Sequence, residues 1–108
     1  MTFTTKTRWA KYDGCFLQAN QYADNCHIAL SVWSYEEGPI ADLTVNIGDT
    51  RFYSENCGFV DTNNFPDGIA LIEQLGIGKP TGIIGYSGFC SYPLYEFNLE
   101  AIEKYTGR

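Results

Sequence analysis

Between residues 26 and 47 apolar and polar side chains alternate with a period of two, a rhythm that commits the chain to β-structure. Cys26, Ile28, Leu30 and Val32 fall on one side, with His27, Ala29, Ser31, Trp33 and Tyr35 on the other. Glu36-Glu37-Gly38-Pro39 supplies a turn, and the next run sets Ala41, Leu43, Val45 and Ile47 against Asp42, Thr44 and Asn46. Successive strand side chains point to opposite faces, so the two runs read as an antiparallel hairpin with one buried and one wet face. The wet face is expected to bring Trp33 and Tyr35 close to Asp42 and Thr44.

The flanking segments extend the sheet. Phe3, Thr5, Thr7 and Trp9 alternate with Thr4, Lys6, Arg8 and Ala10, and Asp13-Gly14 is a two-residue hairpin signal with a return through Cys15–Ala19. Asn20 to Asn25 is a polar connection. Gly48-Asp49-Thr50 reads as a turn, with Arg51-Phe52-Tyr53 and Cys57–Asp61 extended. A helix follows: Thr62-Asn63-Asn64 offers capping oxygens, Pro66 suits the first turn, and Asp67 suits the positive end of the dipole. Leu71, Ile72 and Leu75 form its apolar face, and Gly76 is placed to end it in the left-handed conformation with Ile77 folding back on Ile72. Gly78 to Gly82 reads as irregular, Ile83-Ile84 and Phe89–Phe97 as strands, and Pro93 points to a bulge or an edge. Asn98 can cap a short helix over Leu99–Tyr105. The expected fold is α+β: one domain over residues 1–108, an antiparallel sheet of about five to six strands covered by one main helix, and a short C-terminal helix.

Composition matters mainly through charge. The net charge is −6, yet Lys6, Arg8, Lys11, Lys104 and Arg108 lie near the ends. Residues 12–103 hold all 13 acids and two bases, Arg51 and Lys79. Such a body repels nucleic acid and anionic membranes and attracts basic surfaces. No apolar run approaches the roughly 20 residues that cross a bilayer, and residues 1–14 do not read as a secretory signal. A cytoplasmic protein is expected.

Motifs for catalysis and cofactors fail on inspection. Lys79 lacks the Walker pattern, because Glu73 replaces the first glycine and Pro80 follows the lysine. Glycines 76, 78, 82, 85 and 88 miss the dinucleotide fingerprint. Cys15, Cys26, Cys57 and Cys90 contain no close pair of the kind zinc sites use, and read as buried or half-buried thiols acting as small hydrophobes. His27 and Cys90 would need mutual hydrogen-bond reach to act as a dyad, and nothing in the sequence joins them. Asp61, Asn63 and Asp67 depart from a calcium loop and suit turn and cap chemistry. The expectation is a protein that is not an enzyme and takes no cofactor or metal.

The blocks Ala41-Asp42-Leu43-Thr44-Val45-Asn46-Ile47, Phe59-Val60-Asp61-Thr62-Asn63-Asn64 and Ser87-Gly88-Phe89-Cys90-Ser91-Tyr92-Pro93-Leu94-Tyr95 carry a resemblance. Over residues 28–97 the chain resembles an uncharacterised family of small acidic proteins carried on conjugative and phage-like elements. The resemblance transfers no catalytic residue. It implies an accessory protein of a mobile element, and such proteins often counter host defence. The expected function is an inhibitor of the anti-CRISPR or anti-restriction kind that binds a basic, nucleic-acid-binding protein surface. Alternate carboxylates on a strand lie about 6.6–6.8 Å apart and can present a row of negative charge. The contact residues expected are Asp42, Asp49, Glu55, Asp61 and Glu73, with Trp33 and Tyr35 as anchors. An alternative role is a structural or regulatory accessory of plasmid transfer, acting as a homodimer.

Overall fold

The computed structural model describes residues 1–24, 26–47 and 54–107. The expected turn at Gly48-Asp49-Thr50, the extension at Arg51-Phe52-Tyr53 and Asp49 itself lie outside the described residues. The alternating run forms β3 (Ile28–Ser34) and β4 (Gly38–Asp42), antiparallel and joined by a turn at residues 35–37, so that Gly38 and Pro39 of the expected turn already belong to β4. At Leu43 the chain leaves this pairing and enters a second sheet as β5 (Thr44–Val45). The Leu43 N–H donates to the Leu30 carbonyl (2.9 Å), and the Leu43 carbonyl accepts from the Asp61 N–H (2.9 Å). Thr44, expected on the wet face, is therefore buried, and its Oγ1 accepts from the Leu30 N–H at 3.0 Å.

The first sheet adds β1 (Phe3–Lys6) and β2 (Lys11–Gln21), in the order β1-β2-β3-β4. Asp13-Gly14 is not the turn that its sequence signals. The reversal lies at Thr7–Ala10, where the Thr7 N–H donates to the Ala10 carbonyl at 2.8 Å. Gly14 takes φ 60° inside β2, and the register slips between Phe3 and Thr5. The glycine serves a bulge, which keeps Phe3, Thr5 and Cys15 all facing inward. β2 also runs through Gln21, absorbing part of the expected connection.

The second sheet has the order β5-β6-β8-β7, all antiparallel, with β6 (Cys57–Val60), β7 (Gly78–Ser87) and β8 (Cys90–Phe97). β7 occupies the stretch expected to be irregular. It tolerates Pro80 because it is an edge strand. Residues 81–83 face Leu94 alone, Gly82 takes φ 87°, and the Thr81 hydroxyl donates to the Leu94 carbonyl at 2.9 Å. Pro93 lies in the central strand β8, level with that slip.

The expected sheet under one main helix is therefore incorrect: among the described residues the protein is mostly β, with two antiparallel four-stranded sheets and two short helices. α1 (Gly68–Leu75) has eight residues and α2 (Leu99–Glu103) five. Asp67 is the N-cap of α1 and makes no capping bond through its side chain. The capping chemistry acts earlier: Asp61 gathers residues 62–65 into a turn, which delays the helix past Pro66. At about 12 Å, α1 is too short to cover a sheet. Its end is as expected, with Gly76 at φ 66° and the Gly76 and Ile77 N–H groups both donating to Ile72. Asn98 caps α2, accepting from the Ala101 N–H at 3.1 Å.

Both sheets and both helices feed one core, including Leu17, Leu30 and Val32, Val60 and Phe97, Leu71 and Ile72, and Ile102. A smaller cluster of Ile47, Cys57, Phe59, Tyr92 and Leu94 lines the other face of the second sheet. After α2 the chain returns to β2, where the Leu17 N–H donates to Tyr105 (2.8 Å) and the Gly107 N–H to Leu17 (3.3 Å). Among the described residues no helix is long and apolar enough to cross a membrane.

Leu43 is fully buried where the sheets part. Leu43→Ala is expected to lower stability by about 2–5 kcal/mol, measured as a drop in the urea midpoint. Burial pushes the Cys15 and Cys57 thiols above their ordinary value of 9.0, and the Tyr22 and Tyr95 phenols above 10.0. The fold holds these groups protonated, so their stabilisation is complete below the ordinary values and declines as pH rises through the raised ones. Urea midpoints are expected to fall as pH rises above the ordinary thiol value of 9.0, and a flat profile there would contradict this assignment.

Candidate partner-binding surface

β3 turns Ile28, Leu30, Val32 and Ser34 inward, and this leaves Trp33 on the outer face of the first sheet, with Tyr35 just beyond the strand. Two cross-strand rows result. One places Phe16 opposite Trp33 and Trp33 opposite Pro39; the other runs Gln18, Ser31, Asp42. The Phe16 ring lies 4.4 Å from Tyr35 and 6.4 Å from Trp33, centroid to centroid, at interplanar angles of 33° and 30°. The indole N–H of Trp33 donates to the Ser31 hydroxyl at 3.0 Å, which fixes the ring against the sheet. Gly107 lies against Phe16, too close for any side chain at that position. Tyr35 is 62% exposed. The result is a supported platform of three rings.

Carboxylates bound it on two sides. Glu36 and Glu37 are exposed in the β3–β4 turn, where their N–H groups donate to the Ser34 hydroxyl. Asp42, also exposed, lies on the rim shared by a shallow depression beside Trp33 and an open polar groove of about 480 Å³. Tyr22, Thr44 and Asp61 line that groove, and the Tyr22 and Thr44 hydroxyls are 2.9 Å apart. Burial raises the Tyr22 phenol, the Thr44 bond opposes this, and the Asp42 and Asp61 charges push it further up. From Tyr12 to Ile47 the chain has five carboxylates and no Lys or Arg. The exposed Trp9, by contrast, has the Arg8 guanidinium 5.9 Å over its ring.

The expected contact residues divide accordingly. Trp33, Tyr35 and Asp42 meet on one face. Asp61 borders the groove but is only 5% exposed, and its carboxylate accepts from both the backbone and side-chain N–H of Asn64 (3.1 Å each). Glu55 is exposed beside the entrance to β3, about 20 Å along the strand from the rings. Glu73 lies on the exposed side of α1, whose apolar side joins the inner face of this sheet. The core separates it from the platform. Sequence reading missed Phe16, and took Glu36 and Glu37 only as turn residues.

His27 was expected on the wet face but is buried. It precedes β3, and its Nδ1 donates to the Cys57 carbonyl at 3.0 Å. Cys57 pairs with Glu96, six residues along β8 from Cys90, or roughly 20 Å. A His27–Cys90 dyad is thus out of reach.

A family model described as a domain of unknown function, DUF4313, matches residues 16–108. The chain belongs to the DUF4313 family. No curated protein and no solved structure matches it. The DUF4313 match begins at Phe16, so it takes in all three rings, Glu36, Glu37 and Asp42, and leaves out β1 and the basic turn around Arg8.

Asp61→Ala removes the acceptor for two Asn64 donors and is expected to cost about 1–3 kcal/mol in thermal or urea unfolding. Asp61→Asn keeps one acceptor oxygen, and a smaller loss is expected. Equal losses would show that the capped turn is not what the carboxylate stabilises.

Proposed function

We propose that this DUF4313 chain is a non-enzymatic inhibitor that lays the outer face of its first sheet on a basic, nucleic-acid-binding surface of a host defence protein. The observation that carries this reading is the make-up of that face. Phe16, Trp33 and Tyr35 form a ring cluster between Glu36-Glu37 and Asp42, within a stretch that holds no Lys or Arg. Rings that desolvate on contact anchor an interface, while rim carboxylates accelerate encounter with a cationic surface and reject anionic ones. Direct binding to nucleic acid is disfavoured, because phosphates would meet carboxylates. The resemblance to accessory proteins of conjugative and phage-like elements supports the anti-CRISPR or anti-restriction context.

The test begins with a pull-down from host lysate at low and high salt, followed by titration of the captured protein. A stoichiometric complex that weakens as salt rises is expected. Reversing Glu37→Lys together with Asp42→Lys is expected to weaken it about tenfold or more. Trp33→Ala should act through faster dissociation, and Glu73→Lys, on the far side of the core, should leave the affinity near wild type. A complex indifferent to salt and to the double reversal would remove this reading.

A further inference from the structure

The β7–β8 hairpin differs chemically from the rest of the chain. From Pro80 to Tyr95 there is no charged residue, in a protein of net charge −6. Lys79 and Glu96, 3.9 Å apart, close the base of this neutral segment. β8 turns Tyr92, Leu94 and Tyr95 into the core, but β7 and the tip leave apolar groups exposed: Ile84 is 46% exposed, Tyr86 76%, and Phe89 at the tip fully exposed.

β7 is the edge of the second sheet, and among the described residues no strand pairs its outer side. Edge strands invite pairing unless charge, proline or a bulge blunts them. In β7 all three devices sit in the first half, as Lys79, Pro80 and the slip at residues 81–83. The second half, residues 84–87, pairs regularly with β8 and has none of them.

We propose that this half-strand pairs with the same segment of a second copy, joining two second sheets across a two-fold axis. The segment is complementary to itself. Gly85 faces inward, where a Cβ would lie 2.5 Å from the Phe59 ring, so Ile84 and Tyr86 share the opposite face. An antiparallel pair centred on Gly85 sets Ile84 of each copy across from Tyr86 of the other. Ring against β-branched side chain is a favoured cross-strand pair, and a two-fold axis makes it twice. Electrostatics favours the same place, since two bodies of like charge approach most easily through a neutral edge. A contact this small makes a transient dimer rather than an obligate one.

Light scattering across a concentration series is the test. The mass is expected to rise from 12.1 kDa toward twice that value as concentration increases. Added salt should strengthen the dimer by screening repulsion, opposite to its effect on the acidic contact proposed above. Tyr86→Lys, an exposed site, should give monomer at every concentration with an unchanged thermal midpoint, and Trp33→Ala should leave the dimer intact. Amide exchange at residues 84–87 should slow as the dimer forms. A chain that stays monomeric throughout, or a dimer indifferent to Tyr86→Lys, would overturn the proposal. So would a monomer whose hairpin becomes protected only on a host partner. Dimerisation without any salt-sensitive partner would instead count against the inhibitor reading alone.

Discussion

The architecture depends on one peptide's worth of hydrogen bonds. Leu43 donates to Leu30 in the first sheet and accepts from Asp61 at the end of β6 in the second, so its backbone belongs to both. A buried backbone group must find a partner, and here the two partners lie on different sheets. Everything near the candidate surface follows. Asp42, one residue earlier, still faces out beside Ser31, whereas Thr44, one residue later, is buried and accepts from Leu30. The groove bordered by Asp42, Tyr22 and Asp61 opens where the sheets diverge.

That junction also explains what could be read from the sequence. Leu43 continues the alternation without a break, and neither glycine nor proline marks the change of sheet, so two sheets read as one. Features set by adjacent residues were legible: the left-handed Gly76, the Asn98 cap, and the shared face of Trp33 with Asp42. Features that need the register of distant strands were not. Phe16 joins the rings only because it pairs with Trp33, and that pairing depends on the connection between β2 and β3. Asp13-Gly14 carried a true signal for positive φ, but a bulge and a turn both use it. Helix α1 was foreseen in type and in its end. Its start was not, because Asp61 spends its carboxylate on the turn before it.

The surface separates into zones by charge. The outer face of β2, β3 and β4 has rings and carboxylates, the β1–β2 turn and the strand ends beside it have Lys6, Arg8 and Lys11, and the β7–β8 hairpin beyond its Lys79–Glu96 base has no charge. Salt would act differently on the two proposed contacts, strengthening one through the neutral zone and weakening one through the acidic zone. The two proposed contacts would use different sheets and so would not compete.

The ring platform stands on a late part of the chain. Phe16 comes early, but it leans on Gly107, and the backbone there is held to Leu17. During synthesis the β2–β3–β4 face can pair as soon as its strands emerge, yet its central ring lacks its backing from Gly107 until that residue has left the ribosome. A nascent chain would therefore carry the acidic rim before it carries an ordered aromatic anchor. On the proposed reading, capture by a basic partner would be weak until Gly107 is in place behind Phe16.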